Sequence, residues 1–282
     1  MNTEVGTLYL VGTPIGNLED VTLRALRVLA EVDVIAAEDT RVTRRLLEHH
    51  KIRTPLLSYH QHSGEKKLGR LLDMLRGGKQ VALVCDAGMP GISDPGARLV
   101  CACAEAGVPT HVVPGPTAVS AALTVSGLAP KEFLFLGFLP SRPAARRKTL
   151  QRATDQPAAI VCFEAPHRLC ESLEDIRQVL GDREVVCARE LTKRFEEIVR
   201  GRVSELVTHF SERTPRGEMT LVLAGAQQSA QTTDITGAVR EVNDLVDAGL
   251  SVSRAVAHVA GHRGVSRGRL YRSALRQQRD GT

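Results

Sequence analysis

Residues 81–96 read VALVCDAGMPGISDPG. Val81 to Val84 form a short apolar run of the length expected for a buried strand, and three glycines, two prolines and two aspartates follow between Cys85 and Gly96. Such a loop leaves backbone amides and carbonyls open to a ligand, and Asp94-Pro95 is suited to start the next helix. A purely structural turn is the competing reading. The same succession of apolar run, turn and helical spacing recurs on both sides. Strands are predicted at 7–11, 34–37, 56–59 and 111–113, with helices at 21–29, 42–49, 66–76 and 97–106. This alternation indicates an α/β domain with a mainly parallel sheet whose polar loops gather at the carboxyl ends of the strands.

From Phe133 the pattern changes. Strands are predicted at 133–138, 160–163, 184–188, 197–200 and 219–223, with helices at 168–180 and 203–210. More strands per helix suggest a mixed sheet. Between the blocks, residues 140–152 hold Pro140, Pro143, Arg142, Arg146, Arg147, Lys148 and Arg152 and no acid, which reads either as a solvated linker and helix start or as a phosphate-contacting loop. AQQSAQTTD (226–234) is a polar linker. Helical spacing then returns at 236–247, 252–259 and 266–275, with Val239, Val242, Leu245, Val246, Val256, Val259 and Leu270 as its apolar face; three short helices with an arginine-rich last one resemble a helix-turn-helix module. The expected organisation is a domain at 1–130, a second at 131–225, a linker at 226–234 and a basic helical module at 235–282.

Composition narrows the function classes. With 43% hydrophobic and 24% charged residues and a net charge of +5, the chain has ample apolar surface for a core, which excludes disorder as the main state. The excess charge is local: from Ser251 onward seven arginines face Asp280 alone, so the first 250 residues are near neutral. A basic end on a neutral body points to an anionic partner. Six scattered cysteines read as reduced, buried thiols of a cytoplasmic protein. Cys101, Cys103 and His111 lack zinc-knuckle spacing, and no metal is expected. No apolar run is long enough for a spanning helix, and no signal peptide is expected.

Several strand ends carry candidate chemistry. GTPIGNLED (12–20) offers Gly12 and Gly16 for close backbone approach and Pro14 to stiffen the turn, without the G-x-G-x-x-G dinucleotide fingerprint; Asp20 reads as a helix cap. AAEDTR (36–41) sets Glu38, Asp39 and Arg41 at a strand end. VPGPTA (113–118), FEAPHR (163–168), ARELTK (188–193) and RGEMT (216–220) extend the set, and Glu164, His167, Arg168, Arg189, Glu190 and Lys193 together favour a polar or anionic substrate. Each of these residues singly is also explained as a helix-start or ion-pair residue.

The ordered succession GTPIGNLEDVT, AAEDTR, CDAGMPGISDPG, PGPTA, FEAPHR, ARELTK and RGEMTLVL resembles the ribosomal RNA small subunit methyltransferase I family of the tetrapyrrole methylase superfamily, from Thr7 to about Ala224. Small departures are Cys85, Met89 and Glu164 directly after Phe163. The resemblance implies an α/β, two-domain tetrapyrrole-methylase-like fold, with a parallel-sheet N-terminal domain, a mixed-sheet second domain and a small helical C-terminal module. It implies S-adenosylmethionine as cofactor, a homodimer, and 2′-O-methylation of a cytidine in the decoding region of 16S rRNA in the small ribosomal subunit. Carried over by position, Gly12, Pro14, Asp86, Ala87, Gly88, Met89, Pro90, Ile92, Gly115, Pro116, Thr117, Ala118 and Phe163 belong to the cofactor site. Asp39, Glu164, Glu190 and Lys193 are the candidate general bases for a weakly acidic 2′-hydroxyl. Arg41, Arg142, Arg146, Arg147, Arg168, Arg189, Arg267 and Arg269 are the candidate RNA contacts. Two rival functions are a tetrapyrrole methyltransferase with no use for the basic tail, and a non-catalytic RNA-binding or ribosome-assembly factor.

Overall fold

The computed structural model describes residues 5–60, 63–91, 96–213, 215–226, 235–263 and 267–280. The chain divides into two compact units, 1–225 and 226–282.

The larger unit holds two five-stranded sheets. The first joins β1 (Leu8–Val11), β2 (Val34–Ala37), β3 (Leu56–Ser58), β4 (Val81–Val84) and β5 (Thr110–Val113) in the order β3-β2-β4-β1-β5, all parallel. VIAA and VALV are apolar throughout because each strand is covered on both faces. Ile35, Ala37, Ala82 and Val84 pack beneath α1 (Leu23–Glu31) and α2 (Thr40–His49), whereas Val34, Ala36, Val81 and Leu83 pack beneath α3 (Glu65–Arg76) and α4 (Gly96–Glu105). The cap of α1 is Thr22, whose Oγ1 accepts the Ala25 amide at 3.1 Å. Asp20, expected to cap it, instead ends a preceding 3-10 turn, Leu18–Asp20, that Asn17 caps. The two-residue shift arises because Val21 is extended and only Thr22 has its hydroxyl at the first free amides.

The second sheet joins β6 (Phe133–Phe138), β7 (Ala159–Glu164), β8 (Glu184–Arg189), β9 (Glu197–Arg202) and β10 (Met219–Leu223) in the order β6-β7-β10-β8-β9, with only β6 and β7 parallel. Three helices, α6 (Pro143–Gln151), α7 (Leu169–Leu180) and α8 (Val203–Ser211), build the larger core on one face. The other face receives a helix that the sequence pattern did not announce, α5 (Ala118–Ser126), together with Ile15 from the first sheet's β1 loop. Residues 118–126 thus precede the expected boundary at 130 yet pack on the second sheet, and Ile15 fastens the two sheets together.

Residues 143–151 are a full helix rather than a linker, started by Pro143 in its first turn. Its Arg146 is 1% exposed and donates from Nε to Asp175 at 2.6 Å. Asp175 also accepts from Arg147 Nη1 at 2.9 Å.

All six cysteines are free; Cys85, Cys103, Cys162 and Cys187 are buried as expected, whereas Cys101 is exposed on α4 and Cys170 is half-buried. Burial pushes the Cys187 thiol up to about 12 and Cys103 to about 11, and drives Cys162 higher still. Native protein treated with iodoacetamide is therefore expected to carry label first on Cys101, with Cys162 and Cys187 labelled only after denaturation; peptide mass spectrometry reads the order, and early label on Cys162 would contradict the packing.

The smaller unit packs α9 (Ile235–Asp247), α10 (Val252–Arg263) and α11 (Arg267–Asp280) around Val239, Val242, Val256, Val259 and Leu270. Glu241 ties α9 to α10 by accepting from Arg263 Nε at 2.6 Å and lying 2.9 Å from His262 Nε2. Nearly all of the expected linker lies outside the described residues. Among the described residues no helix is long and apolar enough to cross a membrane.

Candidate active site

β4, β1 and β5 are neighbours, so the loops leaving their carboxyl ends meet above the first sheet, where the chain connections change direction and open α/β sheets receive ligands. Thr13 and Gly88 exchange both backbone hydrogen bonds, at 2.9 and 3.1 Å, and Thr13 Oγ1 donates to the Cys85 carbonyl at 3.1 Å. Gly88 has φ +85°, a conformation that suits glycine. The Gly12 amide donates to the Val113 carbonyl at 2.9 Å. A Cβ on Gly12 would lie 2.7 Å from the Gly115 backbone and from Met89 Sδ. Three loops are thereby fused into one floor.

Above this floor is a cavity of about 680 Å³ with two unlike walls. One is built from Asp86–Met89, Glu38 and the start of α5, where Thr117 and Ser120 place their hydroxyls 2.7 Å apart. The other is aromatic, formed by Phe133, Phe135, Phe138 and Phe163. Alternation would send Phe138 to the opposite face from Phe133 and Phe135. A register shift between Phe135 and Phe138, with Gly137 at φ +66°, brings all three to the cavity.

Carboxylates cluster at the first wall. The Asp39 amide donates to Asp86 Oδ1 at 2.9 Å, and the Asp86 amide lies 3.4 Å from Glu38 Oε2. Asp39 is held by the Arg41 guanidinium, which lowers its carboxyl to about 2. Burial, with Asp39 beside it, raises that of Asp86. At the second wall, Lys193 Nζ donates to Glu190 at 2.9 Å and to Glu218 at 3.1 Å. Burial opposes the ammonium, but these two hydrogen bonds outweigh it and raise Lys193. Glu190 is lowered on balance, burial being overcome by the Glu218 amide and Lys193. Glu190 and Thr192 both have positive φ, 51° and 65°, and the side chain of Lys193 touches Gly16, so a strained turn locks the ARELTK segment against the β1 loop.

Of the expected cofactor residues, Asp86, Ala87, Gly88, Met89, Thr117, Ala118 and Phe163 line the cavity. Gly12, Gly115 and Pro116 belong to the fused floor beneath it, Pro14 and Pro90 are not among its lining residues, and Ile92 lies outside the described residues. The expected bases are all engaged with neighbours. Glu164 lines the cavity, but its carboxylate accepts from Ser172 Oγ at 2.5 Å and the Ala165 amide at 2.7 Å and pairs with Arg168 at 2.7 Å. Lys193 is hydrogen-bonded to Glu190 and Glu218, and Asp39 is paired with Arg41, so each of the four already has a partner. Two expected RNA contacts are likewise committed inward: Arg146 to Asp175, and Arg168 to Glu164. Arg189 pairs with Glu197 at 2.8 Å. Arg41, Arg142, Arg147 and Arg267 are exposed, whereas the Arg269 side chain lies outside what is described. Glu218 and the three phenylalanines of β6 were given no role in the sequence; the signal for the latter was FLFLGF, three phenylalanines in a chain poor in aromatics.

A family model for the tetrapyrrole (corrin/porphyrin) methylases matches residues 7–207. The chain belongs to the tetrapyrrole methylase family. It is a methyltransferase, and the matched span covers the first sheet, the cavity floor and every strand of the second sheet except β10. Among relatives, a protein of Thermotoga maritima named ribosomal RNA small subunit methyltransferase I is 49% identical over 223 residues, 79% of this chain and all of that protein. One of the same name from Synechocystis is 44% identical over 98% of this chain and all of its own length. The tetrapyrrole methylase fold is also seen in the solved structure of a cobalt precorrin-4 methyltransferase of cobalamin biosynthesis, with a TM-score of 0.59 at 21% identity, over 77% of this chain and 94% of that one.

Proposed function

We propose that this methyltransferase uses S-adenosylmethionine to methylate small-subunit rRNA, at the 2′-oxygen of a cytidine in the decoding region. The carrying observation is the 44% identity that runs through 98% of the chain to a relative bearing the rRNA methyltransferase name. The cavity's chemistry fits the cofactor. Glu38 and Asp86 offer negative charge to a cationic ligand, Thr117 and Ser120 offer hydroxyls, and the Asp86–Met89 backbone offers amides and carbonyls. When bound, S-adenosylmethionine supplies a methyl group already activated by its positive sulfur.

The chain's own task is then alignment and exclusion of water, which alone account for a large part of the rate enhancement when reacting groups are held together. The fused floor fixes the loops against each other, and the aromatic wall keeps the cavity apolar opposite the carboxylates. Glu164 positions rather than reacts: bound to Ser172, Arg168 and the Ala165 amide, it holds the Ala165-Pro166 turn at the cavity wall. The homodimer and the cytoplasmic location rest on the resemblance and belong to the same reading; light scattering of purified protein tests the first.

Methyl transfer from labelled S-adenosylmethionine to small subunits from cells lacking the protein tests the function. Incorporation at a cytidine 2′-oxygen is expected; incorporation into a tetrapyrrole alone would transfer the chain to the rival activity, and absence of cofactor binding by calorimetry would leave an RNA-binding factor. The unit at 226–282 has its own core and lies beyond the family match. Its removal is expected to leave cofactor affinity unchanged while weakening RNA binding and flattening its salt dependence, because fewer cations then displace counterions. Equal loss of both would show that the cofactor site depends on the unit.

A further inference from the structure

Four of the chain's six phenylalanines stand on one wall of the cavity, in a sequence with three tyrosines and no tryptophan. Their packing does not require this. Phe133 is 51% exposed and Phe138 59% exposed, although large aromatic side chains gain most from burial. Phe163 contacts Phe135 at 5.0 Å and 71°, and Phe138 at 5.2 Å and 58°. These tilted contacts hold the cluster together and leave ring surface uncovered. The register shift at Gly137 adds the third ring of β6 to this face.

The rest of the cavity defines what such a surface receives. The facing wall carries Glu38 and Asp86 and suits a cationic ligand, so a neutral flat ring is best accommodated on the phenylalanine side. The rings of Phe133 and Phe138 are the parts of that side left open to solvent. Exposed aromatic faces are what single-stranded nucleic acid stacks its bases on. Where a nucleotide of folded RNA is drawn out of its stack to bring its 2′-oxygen into the cavity, a replacement stacking surface offsets part of that cost.

We propose that Phe138, with Phe133 at the other end of β6 lining the same cavity, is the stacking platform for the base of the target nucleotide. The proposal rests on the rRNA reading above and adds the subsite that receives the base.

The test compares full-length wild type, Phe138→Ala and Phe138→Trp on small subunits lacking the modification, with cofactor affinity measured by calorimetry for each. Phe138→Ala is expected to lower kcat/KM for the subunit by about 10- to 100-fold, as loss of one base-stacking contact does, with cofactor affinity unchanged. Phe138→Trp, which keeps a ring, is expected to retain most of the activity. Phe133→Ala, checked like the others by thermal melting, gives a second reading at the cavity lip if Phe138→Ala is poorly folded. Unaltered kcat/KM in both alanine variants overturns the platform. So does a fall in cofactor affinity that matches the fall in kcat/KM, since the ring would then belong to the cofactor's adenine. Inactivity of the wild type on every RNA overturns the functional reading itself, and the platform with it.

Discussion

Asp175→Ala is expected to lower the unfolding free energy by about 3–5 kcal/mol, the cost of breaking a buried pair by deleting one partner. The reason is Arg146. Its side chain is 1% exposed, its Nε donates to Asp175 at 2.6 Å, and its Nη1 has no hydrogen-bond partner. Without Asp175 the guanidinium retains only Glu171, 3.7 Å away and on the surface. A cation buried to 1% exposure then has almost no counter-charge. Guanidinium unfolding of wild type and variant measures the difference. The double variant Arg146→Met, Asp175→Leu is expected to recover most of the loss, because an apolar pair of similar volume needs no charge compensation. A loss below about 1 kcal/mol in the single variant would show that Arg146 escapes to solvent, in contradiction to its packing.

Gly12→Ala should act on activity more than on stability. The added methyl would stand 2.7 Å from the Cα and N of Gly115 and 2.7 Å from Met89 Sδ. Met89 can rotate, but the Gly115 backbone cannot move without parting β1 from β5. Overpacking of this kind costs about 1–3 kcal/mol. The same displacement shifts the floor on which three loops converge, and misplacement by about 1 Å is enough to cost about 100-fold in rate. A drop of that size in kcat/KM, with weakened cofactor binding, is the expected result. Gly69→Ala provides the control: its Cβ would meet nothing within 4 Å, and an alanine within α3 is expected to stabilise by about 0.5–1 kcal/mol. Full activity in Gly12→Ala would mean that the floor is not fixed by this contact.

What the sequence foretold differs by element for physical reasons. β2, β6 and β10 begin and end where the pattern places them, and an acidic residue, Asp33, Glu132 or Glu218, directly precedes each apolar run. α5 escaped notice because AVSAALTVS has neither charge nor a polar face: it sits on the second sheet, and the PGPT turn before it drew attention as a ligand loop. α6 was obscured by its own charge. A helix with three of its nine residues basic and none acidic looks solvated unless its acidic partner is known, and Asp175 lies 29 residues further on. The cavity loops were recognisable by glycine and proline, since close backbone approach leaves a compositional trace. The roles of Glu164 and Lys193 were not, because a carboxylate or an amine in a sequence carries no sign of the donors and acceptors that will occupy it.

The bulge at Gly137 bears also on solubility. β6 is an edge strand with two large aromatic side chains in water, the arrangement that invites a second chain to add its own strand. The register shift interrupts the free row of amides and carbonyls midway, and Pro140 removes a donor just beyond the strand's end. Straightening this edge would give a continuous template for intermolecular strand pairing, so the irregularity that turns Phe138 toward the cavity also protects a sticky surface from aggregation.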